Sequence, residues 1–240
     1  MILNHKALAA VVLGLFFLSL PWEITAVTVG PAKIELKVDP GDVIEGTLLV
    51  FNEEDGGRTF YSDFEKFTEV DGERRFLPGQ EAELANWFQM QESVSLGQNE
   101  GENIPFIINV PEKAPPGGHF AVIWWGTAPP NQEGKGQVSI VTRAGILVFL
   151  QVSGEVNEKG LISLFSLAKG KFFAVQLPED FKVEFKNEGN TYLKPLGQVE
   201  IKNVFGSKVA SFSVNEKQRN LLPGTTRSLE VAPQFEKRPF

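Results

Sequence analysis

The stretch Pro111 to Gly126, PEKAPPGGHFAVIWWG, decides how this chain folds. Pro115 and Pro116 fix φ and offer no backbone donor, while Gly117 and Gly118 permit the positive φ that a sharp reversal needs. From His119 to Trp125 the run is apolar on both faces, with Phe120, Ile123, Trp124 and Trp125 leaving no polar side. A strand wet on one face alternates apolar and polar residues; this one does not, so it is expected in the interior of a sheet covered above and below.

N-terminal to this stretch the pattern has period two. Ile34, Leu36 and Val38 alternate with Lys33, Glu35 and Lys37, a half-buried strand that Asp39-Pro40-Gly41-Asp42 ends. Val43 to Asn52 (VIEGTLLVFN) is more apolar and reads as central, stopping at the turn Glu53-Glu54-Asp55-Gly56-Gly57. That turn carries three carboxylates but lacks the interleaved spacing and closing Glu of a calcium loop, so a solvated hairpin is expected and no metal. Arg58 to Val70 bears Phe60, Tyr61, Phe64 and Phe67, and Asp71-Gly72 predicts a hairpin returning through Glu73 to Phe76. Residues 77–87 are the least strand-like: Glu81 to Ala85 fits one helical turn or a covering loop, with Trp87 and Phe88 plugging the core edge. Gln91 to Leu96 and Ile104 to Val110 read as short strands, the second with Phe106, Ile108 and Val110 inward.

C-terminal to it, Thr127 to Gly136 is a polar loop, Gln137 to Gln151 resumes strand character, and Arg143 to Val152 (RAGILVFLQV) reads as the last central strand. Seven or eight strands between 32 and 152 at even spacing predict an antiparallel sandwich. After a polar linker at 154–160 the strand pattern restarts in six runs, at 161–167, 171–177, 181–187, 197–203, 208–214 and 226–231. LLVFNEEDG (48–56) and VEFKNEGN (183–190) echo each other: both end an apolar strand at an Asn followed by an acidic, glycine-bearing turn.

The expected class is therefore all-β, two tandem immunoglobulin-like β-sandwiches after an N-terminal signal peptide. The expected division is a signal peptide at 1–26, a sandwich at 27–153, the linker at 154–160 and a second, incomplete sandwich at 161–240. The incompleteness rests on the absence of a closing strand pair before Arg238-Pro239-Phe240. It implies either a shortened chain or an unpaired sheet edge awaiting a partner strand.

Composition agrees with two domains: 240 residues, 42% hydrophobic, with 23 Gly and 15 Pro. The net charge of −7 is spread in both signs, which argues against a phosphate-tracking nucleic-acid surface and gives no polybasic membrane patch. In the leader, Lys6 precedes the apolar run Ala7 to Leu20, short for a membrane span, and Ala26 fits the last residue before cleavage. Ile24 departs from the small-residue rule and leaves an uncleaved anchor open. The chain has no cysteine, so export here comes without disulfides and stability rests on burial and strand pairing.

Several turns carry a family resemblance. They are Asp39-Pro40-Gly41 before the strand ending in Phe51-Asn52, and Val110-Pro111 leading through Pro116-Gly117-Gly118 into the Phe120 strand. In the second half they are Asn187-Glu188-Gly189-Asn190 with Leu193-Lys194-Pro195, and Leu222-Pro223-Gly224 before Arg227. In these features the chain resembles the bacterial surface proteins called WxL-interacting proteins, over most of 30–231. The resemblance implies an immunoglobulin-like, peptidoglycan-binding-type first domain followed by a second immunoglobulin-like domain. Members of that family usually continue into a C-terminal transmembrane helix and basic tail, which fits the expectation of a shortened chain. Membrane attachment is expected only through the leader acting as an anchor or through such a helix. A pilus-chaperone-like pair of sandwiches is a second resemblance; those chaperones use paired basic residues in the inter-domain cleft, and no match stands near Ser153 to Lys159.

Catalysis has little to work with. After the leader, His119 is the one histidine, so a Ser-His-Asp site would pass through it, and zinc would lack ligands. Paired acids such as Glu53/Glu54, Glu81/Glu83 and Glu100/Glu102 lie in polar turns and read as solvated. No catalytic residue, cofactor or metal is expected. Trp124 and Trp125 point to opposite faces of their strand: one fills the core, and the other either stacks on a sugar or partner, with His119 nearby, or is covered by a neighbouring domain or by the 77–90 segment. The expected function is that of an exported, non-enzymatic cell-surface protein binding cell-envelope polysaccharide or a surface protein. The alternative is a periplasmic-type assembly chaperone.

Overall fold

The computed structural model describes residues 26–70, 72–77, 83–129, 142–167, 181–229 and 231–234. Residues 1–25 of the expected leader, Asp71, the start of the expected helical turn at Glu81, the polar loop beyond Pro129, the expected strand at 171–177 and the residues after Gln234 lie outside these. The first sandwich contains β1 (Val27–Gly30), β2 (Lys33–Val38), β3 (Val43–Asn52), β4 (Arg58–Val70), β5 (Glu73–Leu77), β6 (Phe88–Met90), β7 (Ser93–Leu96), β8 (Gly101–Asn109), β9 (Gly117–Gly126) and β10 (Arg143–Val152), with a 3-10 turn at Glu83–Asn86. Sequence patterning had not marked β1 and β6, both short; the single helical turn falls inside the expected segment.

One sheet has the order β1-β3-β8-β6 and the other β2-β10-β9-β4, with β5 and β7 both along the far edge of β4. The chain changes sheets between β1, antiparallel to β3, and β2, which runs parallel to β10. Period-two alternation puts Leu48 and Val50 of β3 and Ile104, Phe106 and Ile108 of β8 against Ala121, Ile123, Trp125, Ile146, Val148 and Leu150 of the facing sheet, closing the main core.

The decisive strand β9 lies between β10 and β4, as its two apolar faces require. Its other face carries Phe120, Val122 and Trp124, which join Phe67, Phe76, Leu147 and Phe149 in a second apolar layer on the outside of the sandwich. Tyr192 and Leu222 of the following unit cap that layer, so the inter-unit contact is itself a small core. In the turn before β9 only Gly117 takes positive φ, at 118°. Gly118 serves differently: a Cβ there would lie 2.4 Å from the Phe120 ring.

The second sandwich consists of β11 (Gly160–Leu167), β12 (Phe181–Asn187), β13 (Gly197–Lys202), β14 (Lys208–Val214), β15 (Thr226–Leu229) and β16 (Val231–Gln234). Its sheets have the orders β11-β12-β15 and β13-β14-β16, and one stretch of chain supplies β15 to the first and β16 to the second. The core between them is modest, built on Val183, Val199, Ala210, Phe212, Val214 and Leu229.

Candidate functional site

The three residues singled out from sequence do not form one surface. Trp125 is wholly buried, with 0% of its side chain exposed, and reaches no ligand. Trp124, on the opposite face, is half-buried and fully engaged: its Nε1 donates to Glu65 Oε2 at 2.8 Å, and the Arg143 guanidinium lies 4.4 Å above its ring. Phe76 meets it edge-on at 4.8 Å, and Arg143 Nη1 closes the group by donating to Glu65 Oε1 at 2.9 Å. The outer indole is therefore partly covered by its own domain's hairpin and an arginine. His119 lies 4.8 Å from Trp87, with Nδ1 3.1 Å from Glu83 Oε2 and Nε2 2.8 Å from the Pro115 carbonyl, pinning the 3-10 turn to β9.

The acidic turn after β3 also resolves into separate pairings. Thr28 Oγ1 donates to Glu53, Arg58 Nε to Glu54 and Gln98 Nε2 to Asp55, so the three carboxylates diverge. Among the described residues no group of three or more His, Cys, Asp or Glu converges as metal ligands would.

The feature that sequence reading did not locate is in the second sandwich. β11 pairs only with β12 and β13 only with β14 among the described strands, so each leaves one edge without a ladder partner. Between these edges runs a groove of about 460 Å³, lined by Ile162, Phe165, Phe185, Leu196, Val199 and Leu229 among others. Leu196, Ile162 and Phe165 are 63%, 61% and 57% exposed, unusual for residues of this size at adjacent positions. A register shift between Ile162 and Leu164 bulges β11 beside the groove. Only long-range pairing tells which two strand edges face each other, so no local pattern could have revealed it.

The junction between the units is polar around its apolar centre. Glu35 of β2 accepts from Lys194 Nζ at 2.5 Å and Asn220 Nδ2 at 2.6 Å, both from the second unit, and pairs with Lys33 Nζ at 2.7 Å. Burial alone would raise its pKa, but the hydrogen bonds from Lys194, Lys33 and Asn220 outweigh that and hold it at about 2. Arg227 and Glu69 form a second, buried link. The Gly118 amide donates to the Asn190 carbonyl at 2.8 Å, tying the decisive turn to the second unit's Asn-bearing turn. Among the described residues no helix is long and apolar enough to cross a membrane.

No protein-family model and no curated protein sequence matches the chain. Solved structures with a similar arrangement include the Class 5 fimbriae chaperone CfaA, with a TM-score of 0.48 at 12% identity over 88% of this chain and 94% of that one. The complex of Salmonella enterica SafA pilin with the SafB chaperone gives 0.44 at 13% identity over 88% and 86%. The E. coli chaperone DraB gives 0.42 at 14% identity over 89% and 88%. None of the three is a WxL-interacting protein. Likenesses this low transfer neither a site nor a partner.

Proposed function

We propose that the protein is exported and non-enzymatic, and that it holds an extended segment of a polypeptide partner, the assembly-chaperone alternative rather than the polymer-binding reading. The observation that carries this is the groove between β11 and β13. Among the described strands its lips are unpaired edges, whose N–H and C=O groups call for hydrogen-bonding partners, and its floor is apolar. A β-strand supplies both at once: a backbone ladder for a lip, and every second side chain for the floor. A glycan lacks apolar side chains for the floor, and Trp125 is buried while Trp124 already packs against Phe76 and Arg143. One of the similar solved structures is a chaperone in complex with a pilin; the likeness is too low to bring a pilin to this chain.

The test uses a synthetic peptide alternating Val, Ile or Leu with polar residues, and a control of the same composition without alternation. The alternating peptide should protect backbone amides of β11 and β13 from hydrogen exchange, and Phe165→Glu, at an exposed position, should abolish that protection without unfolding the protein. Equal protection by the two peptides, or none by either, would refute strand capture.

A further inference from the structure

The hairpin joining β13 to β14 ends in Asn203-Val204-Phe205-Gly206-Ser207, and its two apolar side chains stand almost wholly in water. Val204 is 95% exposed and Phe205 89%, the most exposed large apolar residues among those described. The turn that presents them is rigid. Asn203 donates to the Ser207 carbonyl at 2.9 Å, its own carbonyl accepts from Gly206 at 2.9 Å, and its Oδ1 accepts from the Phe205 and Ser207 amides at 3.0 and 2.9 Å. Gly206 takes φ 81°, the left-handed conformation that such a turn assigns to glycine. An ordinary solvated hairpin needs only polar residues at its tip, so a braced turn that holds Val and Phe outward is built to bury them elsewhere.

We propose that this tip is a membrane-docking element that inserts Val204 and Phe205 into the interface of an anionic lipid surface. Charge favours that partner. Lys202 and Lys208 face each other across the base of the tip and share one acid, Glu200, at 3.6 and 3.4 Å, leaving a cationic collar behind the apolar point. The whole half agrees: residues 161–240 carry twelve Lys and Arg against eight Asp and Glu, while residues 27–160 carry ten against twenty-one. The molecule is thus an acidic first sandwich joined to a basic second one, and the tip projects from the basic side. Along the sequence the lysines form no patch, since Lys202 and Lys208 are separated by the turn; strand pairing brings them together. Shape points the same way. Two side chains on a convex point bury little against a flat protein face, whereas lipid headgroups and acyl chains mould around any protrusion. Anionic lipid then attracts the lysines while Phe205 leaves water.

The site is independent of the groove, and its test does not involve a peptide. Because the chain has no cysteine, Val204→Cys places a single polarity-sensitive dye at the tip, and Glu45→Cys places one on the first sandwich as a control. In the full chain the dye at 204 should shift to the blue with vesicles of phosphatidylcholine and phosphatidylglycerol, and not with phosphatidylcholine alone. The dye at 45 should respond to neither. Adding Phe205→Ser should raise the lipid needed for half the shift roughly tenfold. Replacing Lys202 and Lys208 by Gln should remove the dependence on anionic lipid and on salt. All these substitutions are at exposed positions, and unfolding midpoints near the parent's would show the fold intact. The proposal is overturned if the dye at 204 stays in water with anionic vesicles, or if both dyes shift alike. It is also overturned if the shift at 204 follows protein concentration without lipid, which would make the tip a protein contact.

Discussion

Arg227 Nε donates to Glu69 Oε1 at 2.6 Å across the boundary between the two sandwiches, with side chains only 6% and 1% exposed. The Leu222 backbone also hydrogen-bonds Glu69, and the β4–β5 hairpin rests on the arginine, with Gly72 against the Arg227 stem. The pair therefore fixes the second unit against β4 at the rim of the shared apolar layer of Phe67, Phe149 and Leu222.

Removing one partner of a buried pair strands the other charge. Burial already pushes the Glu69 pKa up, and Arg227 pulls it back. In Arg227→Met the burial effect loses its main opponent, and only the Leu222 backbone hydrogen bond and the Arg74 charge still act against it. A raised folded pKa contributes stability at low pH that is lost as pH rises through it, so the variant should be weakest near neutrality and recover toward acid. A loss of about 3–5 kcal/mol near pH 7 is expected from urea unfolding, with the Glu69→Leu/Arg227→Met double variant regaining much of it. A double variant no better than the single would show that the pair contributes through geometry rather than through charge compensation.

Asn52 and Asn187 should behave alike, because they do the same work in the two sandwiches. Asn52 Nδ2 donates to the Gly56 and Gly97 carbonyls at 2.8 and 2.9 Å, and its Oδ1 accepts from the Glu54 amide at 2.9 Å. Asn187 Nδ2 donates to the Thr191 and Leu221 carbonyls at 2.8 and 3.0 Å, and its Oδ1 accepts from the Gly189 amide at 2.9 Å. Both are fully buried and splice a strand end to two loops. Asn→Asp at either position puts a charge where two donors are required and should cost about 2–4 kcal/mol in thermal or denaturant unfolding, more than Asn→Ser. Equal costs for Asp and Ser would show that the donors are dispensable.

This pair also marks what was legible in the sequence. The echo between 48–56 and 183–190 is the trace of a shared splice, visible because Asn and the glycine-bearing turn are local. Alternation likewise revealed β2 and β8, the apolar run of β3 marked it as central, and the doubly apolar β9 was legible as interior. What covers its outer face was not, because Tyr192 and Leu222 arrive from about 70 to 100 residues away. The Trp pair shows the same division. Period two put one indole inside and one outside, but the cover over Trp124 comes from Phe76 and Arg143, through hairpin and strand pairings that no local pattern records. The groove was illegible for that reason too: an unpaired edge was foreseeable from the strand count, but its place between β11 and β13 depends on sheet order.

Glu35 makes the junction sensitive to acid. Its pKa of about 2 lies below the ordinary value of 4.5, so its contribution is fully present above about pH 4.5 and is lost as pH falls toward 2. After discounting for solvent screening, that contribution is about 1 kcal/mol. Stability followed between pH 5 and pH 2 should fall more steeply in the parent than in Glu35→Gln, and Lys194→Met should recover part of the difference. Parallel curves for the parent and Glu35→Gln would remove Glu35 from the account of acid sensitivity.

Trp124 and Trp125 are neighbours in sequence with opposite surroundings, and truncation should separate them. Trp125→Ala empties the centre of the main core, where Ile123 and Ile146 are also wholly buried, and should cost about 3–5 kcal/mol. Trp124→Ala loses the hydrogen bond to Glu65 and the Arg143 stacking but leaves the sheet intact, so about 1–2 kcal/mol is expected. Capture of the alternating peptide should survive Trp124→Ala unchanged, since the groove belongs to the other sandwich. Pulldown on purified cell-wall polymer is the informative contrast: with the Trp124 ring already packed against Phe76 and Arg143, parent and Trp124→Ala should sediment alike. A variant that kept its melting temperature and lost polymer binding would return the outer indole to a recognition role, against the covering by Phe76 and Arg143.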